Sequence, residues 1–346
     1  MSLLNNLLPH KNLRYDIAAW VLMAFMLMIV LVCHLLPALL AGLLVFELVH
    51  IITPKIAQKF PTNKPSNRAK LWAVGILVAI IVSLLSLAGA GLVAFLRSDA
   101  GSVTVLLAKM AQIIEDSRKV LPPWLFEYLP ADALTFKEEA TQWLRAHAAQ
   151  LQGVGKEAGR ATAHIILGMI IGGMVALRDV VVFDHFKPFA RAMVERTSLL
   201  SDAFRRVVFA QLRIATINAI FTGIYLALVL PMMGVQLPLV KTMIAITFVV
   251  GLIPVLGNLI SNTVIVVVSL SHSVGVALGS LLYLVIIHKL EYFLNARIIG
   301  GQIRAYAWEL LIAMILMEAV FGLAGIVAAP IYYAYIKAEL RARNLV

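Results

Sequence analysis

One interruption in a long apolar run constrains this chain more than any other feature. The segment from Leu252 to Asn262 places a proline, a glycine and three small polar side chains between two apolar stretches. In hydrocarbon every backbone amide and carbonyl needs a partner, so a broken helix at membrane depth persists only inside protein or beside an aqueous cavity. Broken helices are also where transporters hold their substrates.

Composition supports a membrane setting. Hydrophobic residues make up 62% of the chain and charged residues 14%, whereas soluble domains carry about 45 to 50% and about 25%. The apolar run from Ile17 is about as long as a span requires and lacks a small-residue cleavage site, which predicts a span and not a cleaved signal peptide. The single cysteine, Cys33, excludes an intrachain disulfide. These features predict a polytopic helical membrane protein.

The net charge of the chain is +11, and the positions of its basic residues indicate how the chain crosses the membrane. Basic residues cluster beside the apolar runs, which favours contact with anionic lipid headgroups over nucleic acid. Residues 54–70 contain five bases and no acid, so this loop is predicted to be cytoplasmic, and the amino terminus with it. Residues 1–96 are therefore predicted to form a three-span region, whose third span (Leu71 to Leu96) runs outward.

The next two regions differ in charge. Residues 97–160 hold eight acids and eight bases, the balance typical of a translocated segment, and are predicted to form an extracytoplasmic helical insertion. Residues 161–213 are predicted to form a fourth span, ending at Leu177, and a cytoplasmic amphipathic stretch. From Arg178 to Arg213 that stretch has seven bases against four acids.

Residues 214–346 form the predicted transport region, and two of its segments are unusual in length. Residues 239–271 and 307–336 each span about 30 residues, too many for one ordinary span and too few for two. Each has a break in its middle, at Pro254 and Gly257 in the first and at Gly322 and Gly325 in the second.

Charge decides between single crossings and re-entrant hairpins. Single crossings would put the basic loop from Lys289 to Arg304 outside, against the positive-inside rule, whereas two hairpins keep that loop and both termini cytoplasmic. We therefore predict an all-α polytopic fold with about six full spans and two opposed re-entrant hairpins. Their tips are expected to approach each other near the midplane, as in an inverted-repeat transporter.

The carboxy-terminal half resembles the autoinducer-2 exporter family of predicted permeases. Three segments carry the resemblance: Leu252–Gly257, the loop Leu290–Gly300, and Phe321–Pro330. The resemblance implies a bacterial inner-membrane secondary transporter that exports small polar metabolites such as autoinducer-2. It also implies a homo-oligomer with elevator-like movement of the hairpin region. Ala296 and the pair Trp308-Glu309 depart from the family's usual proline and histidine-proline.

The first break supplies the candidate substrate-binding residues. Asn258 and Asn262 are spaced to share one helical face, with Ser261 beside them, and the helix after the break would aim free N–H groups at an anion or a hydroxyl-rich solute. The alternative is that these side chains only cap the helix. Pro254 and Gly257 belong to the same binding segment, where they are expected to make the turn.

Glu318 is the only carboxylate deep in the second predicted hairpin, which makes it the ion-coupling candidate. The alternative is a protonated or hydrogen-bonded side chain that fixes helix packing. A structural role is also favoured for Glu47 and His50, which share a face of the second span. Six further residues are predicted to shape the loop or the second hairpin: Glu291, Asn295, Gly300, Gly322, Gly325 and Pro330.

No enzymatic pattern stands out. The chain has no Walker-type phosphate loop, no histidine and carboxylate pair with metal-site spacing, and no nucleophile elbow. The sequence therefore predicts no enzyme activity, cofactor or metal, and its expected partners are a small-molecule or ion substrate and membrane lipid. A sodium/proton antiporter in the same fold and a non-transporting membrane scaffold are the alternatives.

Overall fold

A computed structural model describes residues 13–57, 72, 74–80, 83, 138, 142, 146–177, 186–253, 256–270, 272–299 and 306–345. Most of the predicted third span and of the insertion at 97–160 lies outside these residues, as do Pro254, Gly300 and the basic loop from residue 58 to residue 70. Within the described part the regular structure is helical, as the sequence predicts.

The helices are α1 (Leu13–Val32), α2 (Leu36–Ala57), α3 (Ala148–Leu177), α4 (Pro188–Ile224), a π-helical turn (Tyr225–Val229), α5 (Leu230–Met232), α6 (Val240–Gly251), α7 (Leu256–Leu270), α8 (Val274–Ile299), α9 (Ala307–Phe321) and α10 (Leu323–Ala342). Four stretches among the described residues are long and apolar enough to cross a membrane: Arg14–Val32, Leu36–Lys55, Lys156–Leu177 and Pro188–Met232. Their outward faces are covered with large apolar side chains that only lipid or further protein would shield from water. The chain is a multi-pass membrane protein.

Several helix boundaries differ from the prediction. The sequence predicts a tight turn that begins at Pro37, but Pro37 lies in the first turn of α2, because a proline there removes no intrahelical donor. Instead His34 makes the turn with a φ of 55°. The predicted cytoplasmic stretch and the following span join in one continuous helix, α4, because no glycine or proline occurs between Pro188 and Gly223.

The predicted loop Leu290–Gly300 is also wrong for most of its length. Helix α8 continues through Ile299, past Leu290, where the sequence predicts that the loop begins. No glycine or proline stands between Ser280 and Ile299, so nothing in the sequence stops the helix there.

The chain divides into two compact units. The first comprises Met1–Ala79, Gly159–Val208 and Ile303–Val346, and the second comprises Ile80–Ala158 and Phe209–Gln302. The first unit thus contains the α9–α10 pair, and the second contains the α6–α7 pair and α8.

Glycines bring α2 and α3 into close contact in the first unit. A Cβ atom built on Gly168 would lie 2.1 Å from the carbonyl oxygen of Ala38, and one built on Gly172 would lie 2.2 Å from that of Gly42. This is the small-xxx-small arrangement by which membrane helices pack closely.

A buried arginine joins three helices of the same unit. Arg196 of α4 is fully buried and lies 3.1 Å from Asp16 of α1 and 3.8 Å from Glu339 of α10. Its guanidinium also lies 5.5 Å from the Trp20 ring centroid, while Arg343 makes a second ion pair with Asp16 at 2.8 Å. Because several carboxylates surround it, this buried charge is compensated.

Both predicted breaks are real breaks between paired helices. Helix α6 ends at Gly251 and α7 begins at Leu256, and the two pack against each other. Helices α9 and α10 do the same across Gly322, whose φ of 60° and ψ of −142° favour glycine. Gly325 permits a close approach, since a Cβ there would lie 1.9 Å from the carbonyl oxygen of Met317. Pro330 lies inside α10 and is buried.

Candidate functional site

A small cavity in the second unit lies beside the first break. Helices α4, α6, α7 and α8 line it with Asn218, Thr222, Thr247, Asn258, Ser261, Asn262, Leu284, Ile287 and His288. The cavity and the open space at its mouth together measure about 260 Å³. Most of the lining side chains are polar, although the helices that carry them are predominantly apolar. In a membrane protein such a concentration of polar groups is a candidate substrate or ion site.

Three of these side chains form a chain of hydrogen bonds between three helices. Asn218 Nδ2 of α4 donates to Asn258 Oδ1 of α7 at 3.2 Å. Asn258 Nδ2 then donates to Nδ1 of His288 on α8 at 3.4 Å, which is at the long end for such a bond. Asn258, the third residue of α7, therefore connects the helix after the break to both neighbours.

One polar atom in this chain is unsatisfied. Asn218 is 5% exposed, and its Oδ1 is buried without a hydrogen-bond partner. A buried carbonyl oxygen left unpaired costs about 1 to 3 kcal/mol, so native structures keep few of them. An unsatisfied acceptor that lines a cavity is well placed to receive a hydrogen bond or a cation from a ligand.

The hydroxyl groups around the cavity also offer acceptor capacity. Ser261 is 2% exposed and its hydroxyl donates to the carbonyl oxygen of Asn258 at 3.4 Å. The Thr247 hydroxyl donates to the carbonyl oxygen of Met243 at 2.9 Å. Because each hydroxyl uses its only proton within its own helix, its lone pairs are what it can offer to a ligand.

The structure brings together some of the predicted binding residues and not others. Asn258, Ser261 and Asn262 all line the cavity. Gly257 does not line it; a Cβ there would lie 2.5 Å from the carbonyl oxygen of Val250, so this glycine permits the tight packing of α7 on α6. Pro254 lies outside the described residues.

Four lining residues were not identified from the sequence: Asn218, Thr222, Thr247 and His288. Asn218 and Thr222 lie four residues apart in an apolar stretch and therefore share a helical face, which is a detectable signal. His288 follows a continuous apolar run in α8. Tertiary packing decides which face of each helix lies next to the break, so the sequence alone does not identify it.

The remaining candidate residues lie elsewhere. Glu318 belongs to the first unit, where its side chain is exposed and forms no hydrogen bond or ion pair with the described residues. Glu291 and Asn295 lie one turn apart in α8, where the backbone alone is described. Glu47 is buried, accepts a hydrogen bond from Ser201 at 2.6 Å and lies 3.9 Å from Arg205.

Apolar spanning helices, paired short helices and a polar cavity together are typical of a membrane transporter. The family model described as AI-2E family transporter matches residues 17–344. The chain therefore belongs to the AI-2E transporter family, which confirms the resemblance read from the three carboxy-terminal segments. No curated protein and no solved structure matches the chain.

Proposed function

We propose that this membrane transporter exports a small polar solute of the autoinducer-2 type and that the solute binds in the Asn258 cavity. The unsatisfied Asn218 Oδ1 carries the proposal, because a hydroxyl-rich solute supplies the donor that this oxygen lacks. Among the described lining residues only His288 is titratable, and the others are uncharged. A neutral solute therefore suits the lining better than an organic ion does.

The lengths of the paired helices support re-entrant hairpins. Helix α6 has 12 residues and α7 has 15, so they measure about 18 and 22 Å at 1.5 Å per residue, short of a hydrocarbon core of about 30 Å. One interrupted span would place the two halves end to end. Their packing against each other fits a hairpin that enters and leaves on the same side.

The open end of the second pair has the side chains of a membrane interface. Tyr306 and Trp308 are 69% and 61% exposed, and Lys337 Nζ lies 6.0 Å from the Tyr306 ring centroid. Lys337 donates to Glu309 at 2.6 Å, and Tyr333 donates to the same carboxylate. Aromatic and basic side chains are enriched at headgroup depth. We place this end at the cytoplasmic surface, and Gly322 within the membrane.

The rest of the proposal concerns setting and mechanism. We place the protein in the bacterial inner membrane with both termini cytoplasmic, because the basic segments then lie inside. The resemblance to the autoinducer-2 exporter family supports a homo-oligomer with elevator-like movement of the hairpin region. Glu318 is the proposed ion-coupling residue of the first unit, since an exposed carboxylate near the end of α9 can bind a proton or sodium ion.

A sodium/proton antiporter in the same fold is the second candidate. The observation that favours it is the same unsatisfied oxygen beside a histidine, because carbonyl and hydroxyl oxygens also bind sodium and a histidine exchanges protons. Flux measurements separate the two functions. Proteoliposomes that release loaded autoinducer-2 support export, and proteoliposomes that exchange protons only when sodium is added support antiport.

A matched pair of variants tests whether the measured flux, of autoinducer-2 or of ions, depends on the cavity. Asn258→Ala removes the central amide of the cavity, whereas Thr263→Ala changes an exposed residue of the same helix. We expect the first variant to slow transport and the second to leave it at the wild-type rate. Equal rates for both variants would contradict the proposed site.

A further inference from the structure

The hydrogen-bond chain through Asn258 has a direction. Asn218 donates to Asn258, and Asn258 donates to His288, so a neutral imidazole accepts at one end and the Asn218 oxygen is left without a donor at the other. We propose that protonation of His288 reverses this chain and replaces the acceptor that Asn218 presents in the cavity with a donor.

The reversal follows from what each group can donate and accept. A protonated imidazole has no lone pair, so Nδ1 becomes a donor toward Asn258. The Asn258 amide then turns over, which directs its oxygen at His288 and its nitrogen at Asn218. To accept from that nitrogen, the Asn218 amide turns over as well. Its Nδ2 then occupies the place where the unsatisfied Oδ1 stood, so no covalent bond changes and the proton stays on His288.

The position of His288 suits this role. Its side chain is exposed at the surface of the second unit, while Asn218 at the other end is buried. A change of charge at the accessible end therefore changes the hydrogen-bonding character of the enclosed end. The intervening Asn258 is the only residue required to connect them.

Among the described residues that line the cavity, His288 is the one with a titratable side chain. Helix α7 contains no charged or titratable residue, α6 contains Lys241, and the part of α4 in this unit contains Arg213. Tyr225 of the π-helical turn packs on Tyr283 of α8, and Lys289 follows His288. None of these side chains lines the cavity. The charge at the site thus depends on His288.

The reversal makes a proton and a ligand compete. With His288 neutral, the site accepts a group of positive character, either a solute hydroxyl or a sodium ion. With His288 protonated, Asn218 offers a donor and the added charge repels cations. Proton binding and ligand binding then weaken each other equally, as thermodynamic linkage requires. This coupling rests on the proposed function and would exchange a proton for each ligand released.

The test measures binding of autoinducer-2 and, separately, of sodium to the purified full chain at about pH 5 and about pH 8, the range in which histidine changes charge. We expect the wild-type affinity for the probe that binds to fall on acidification, by up to about tenfold for each pH unit if one proton is exchanged. His288→Gln should remove this dependence. His272→Gln, at an exposed histidine of the same unit, should keep it.

A third variant tests the connecting amide. Asn258→Leu cuts the chain, so the remaining affinity for autoinducer-2, the uncharged probe, should no longer vary with pH. Persistence of the pH dependence in this variant would mean that His288 acts by charge alone, which overturns the reversal. A wild-type affinity that does not vary with pH, or a dependence that survives in His288→Gln, would also overturn it. Failure of wild type to bind either probe would contradict the proposed function instead, and melting temperatures confirm that each variant is folded.

Discussion

Asn218 and Asn258 are 40 residues apart in the chain and their side-chain amides hydrogen-bond at 3.2 Å. This bond connects α4, a continuous spanning helix, to the helix that begins after the break. It leaves Asn218 Oδ1 buried and unsatisfied. An acceptor kept in that state beside a cavity is the structural basis for placing the solute there. The predictions below test that site and the scaffold that holds it.

The contact between α2 and α3 should not tolerate a methyl group at Gly172. A Cβ there would lie 2.2 Å from the carbonyl oxygen of Gly42, so Gly172→Ala must separate the two backbones. Overpacking of this kind costs typically about 1 to 3 kcal/mol. Thermal unfolding in detergent measures the loss.

The next residue supplies the control for that experiment. A Cβ on Gly173 would meet only the Val74 and Val45 side chains, at 3.8 and 3.9 Å. Gly173→Ala should therefore melt at or slightly above the wild-type temperature, since alanine favours helix. Equal destabilisation by the two substitutions would contradict the close contact at Gly172.

The buried Arg196 should be essential for stability. Arg196→Met leaves Glu339 and Asp16 without their central cation, and removal of one partner from a buried ion pair costs about 3 to 5 kcal/mol. Arg213→Met is the comparison on the same helix, because Arg213 is exposed and forms no ion pair with the described residues, and such surface substitutions usually change stability by about 0.5 kcal/mol or less. Chemical unfolding of both variants would show whether the difference exists.

Cysteine labelling from either side of the membrane tests the orientation of the proposed hairpins. Gln302→Cys in a Cys33→Ser background should react with an impermeant maleimide only from the cytoplasm. Gln236→Cys, in the turn between α5 and α6, is the reciprocal control and should react only from outside. Labelling of Gln302→Cys from outside would mean that each long segment crosses the membrane once, and the re-entrant hairpins would be excluded.

Glu318 and His288 lie in different units and are predicted to bind ions separately. Glu318→Gln should lower the dependence of transport rate on a proton or sodium gradient while the protein still assembles, because the neutral amide binds neither ion and only the coupling through His288 is left. A central aspartate costs roughly 2.5 to 3.5 kcal/mol on insertion scales, so an acid kept at such a depth is expected to function. Rates measured in proteoliposomes with and without each gradient test this. If the dependence on the gradient is unchanged, Glu318 serves only in helix packing.

The sequence predicted local breaks better than it predicted contacts between helices. Pro254, Gly257 and Gly322 interrupt apolar runs, and a helix ends or begins near each of these positions because glycine and proline act on the backbone locally. Asn258, Ser261 and Asn262 share a cavity because helical spacing already places them together. Asn218 and His288 were missed because their approach to α7 is set by the packing of α4 and α8. The loop predicted at Leu290 is wrong because that prediction follows the family motif, whereas the uninterrupted sequence there favours a helix.

The central claim is that the cavity beside the first break binds the transported solute. Affinity for autoinducer-2 and melting temperature, measured on the same purified Asn258→Ala and Asn262→Ala proteins, test it most directly. Loss of a hydrogen bond to a neutral solute should weaken binding by about 0.5 to 1.5 kcal/mol for each variant. Asn262→Ala should do so at little cost in stability, whereas Asn258→Ala also removes the acceptor of the buried Asn218 amide. If these residues only cap the helix, the melting temperature should fall and the affinity of the folded protein should stay at the wild-type value. Wild-type affinity in both variants would contradict the claim.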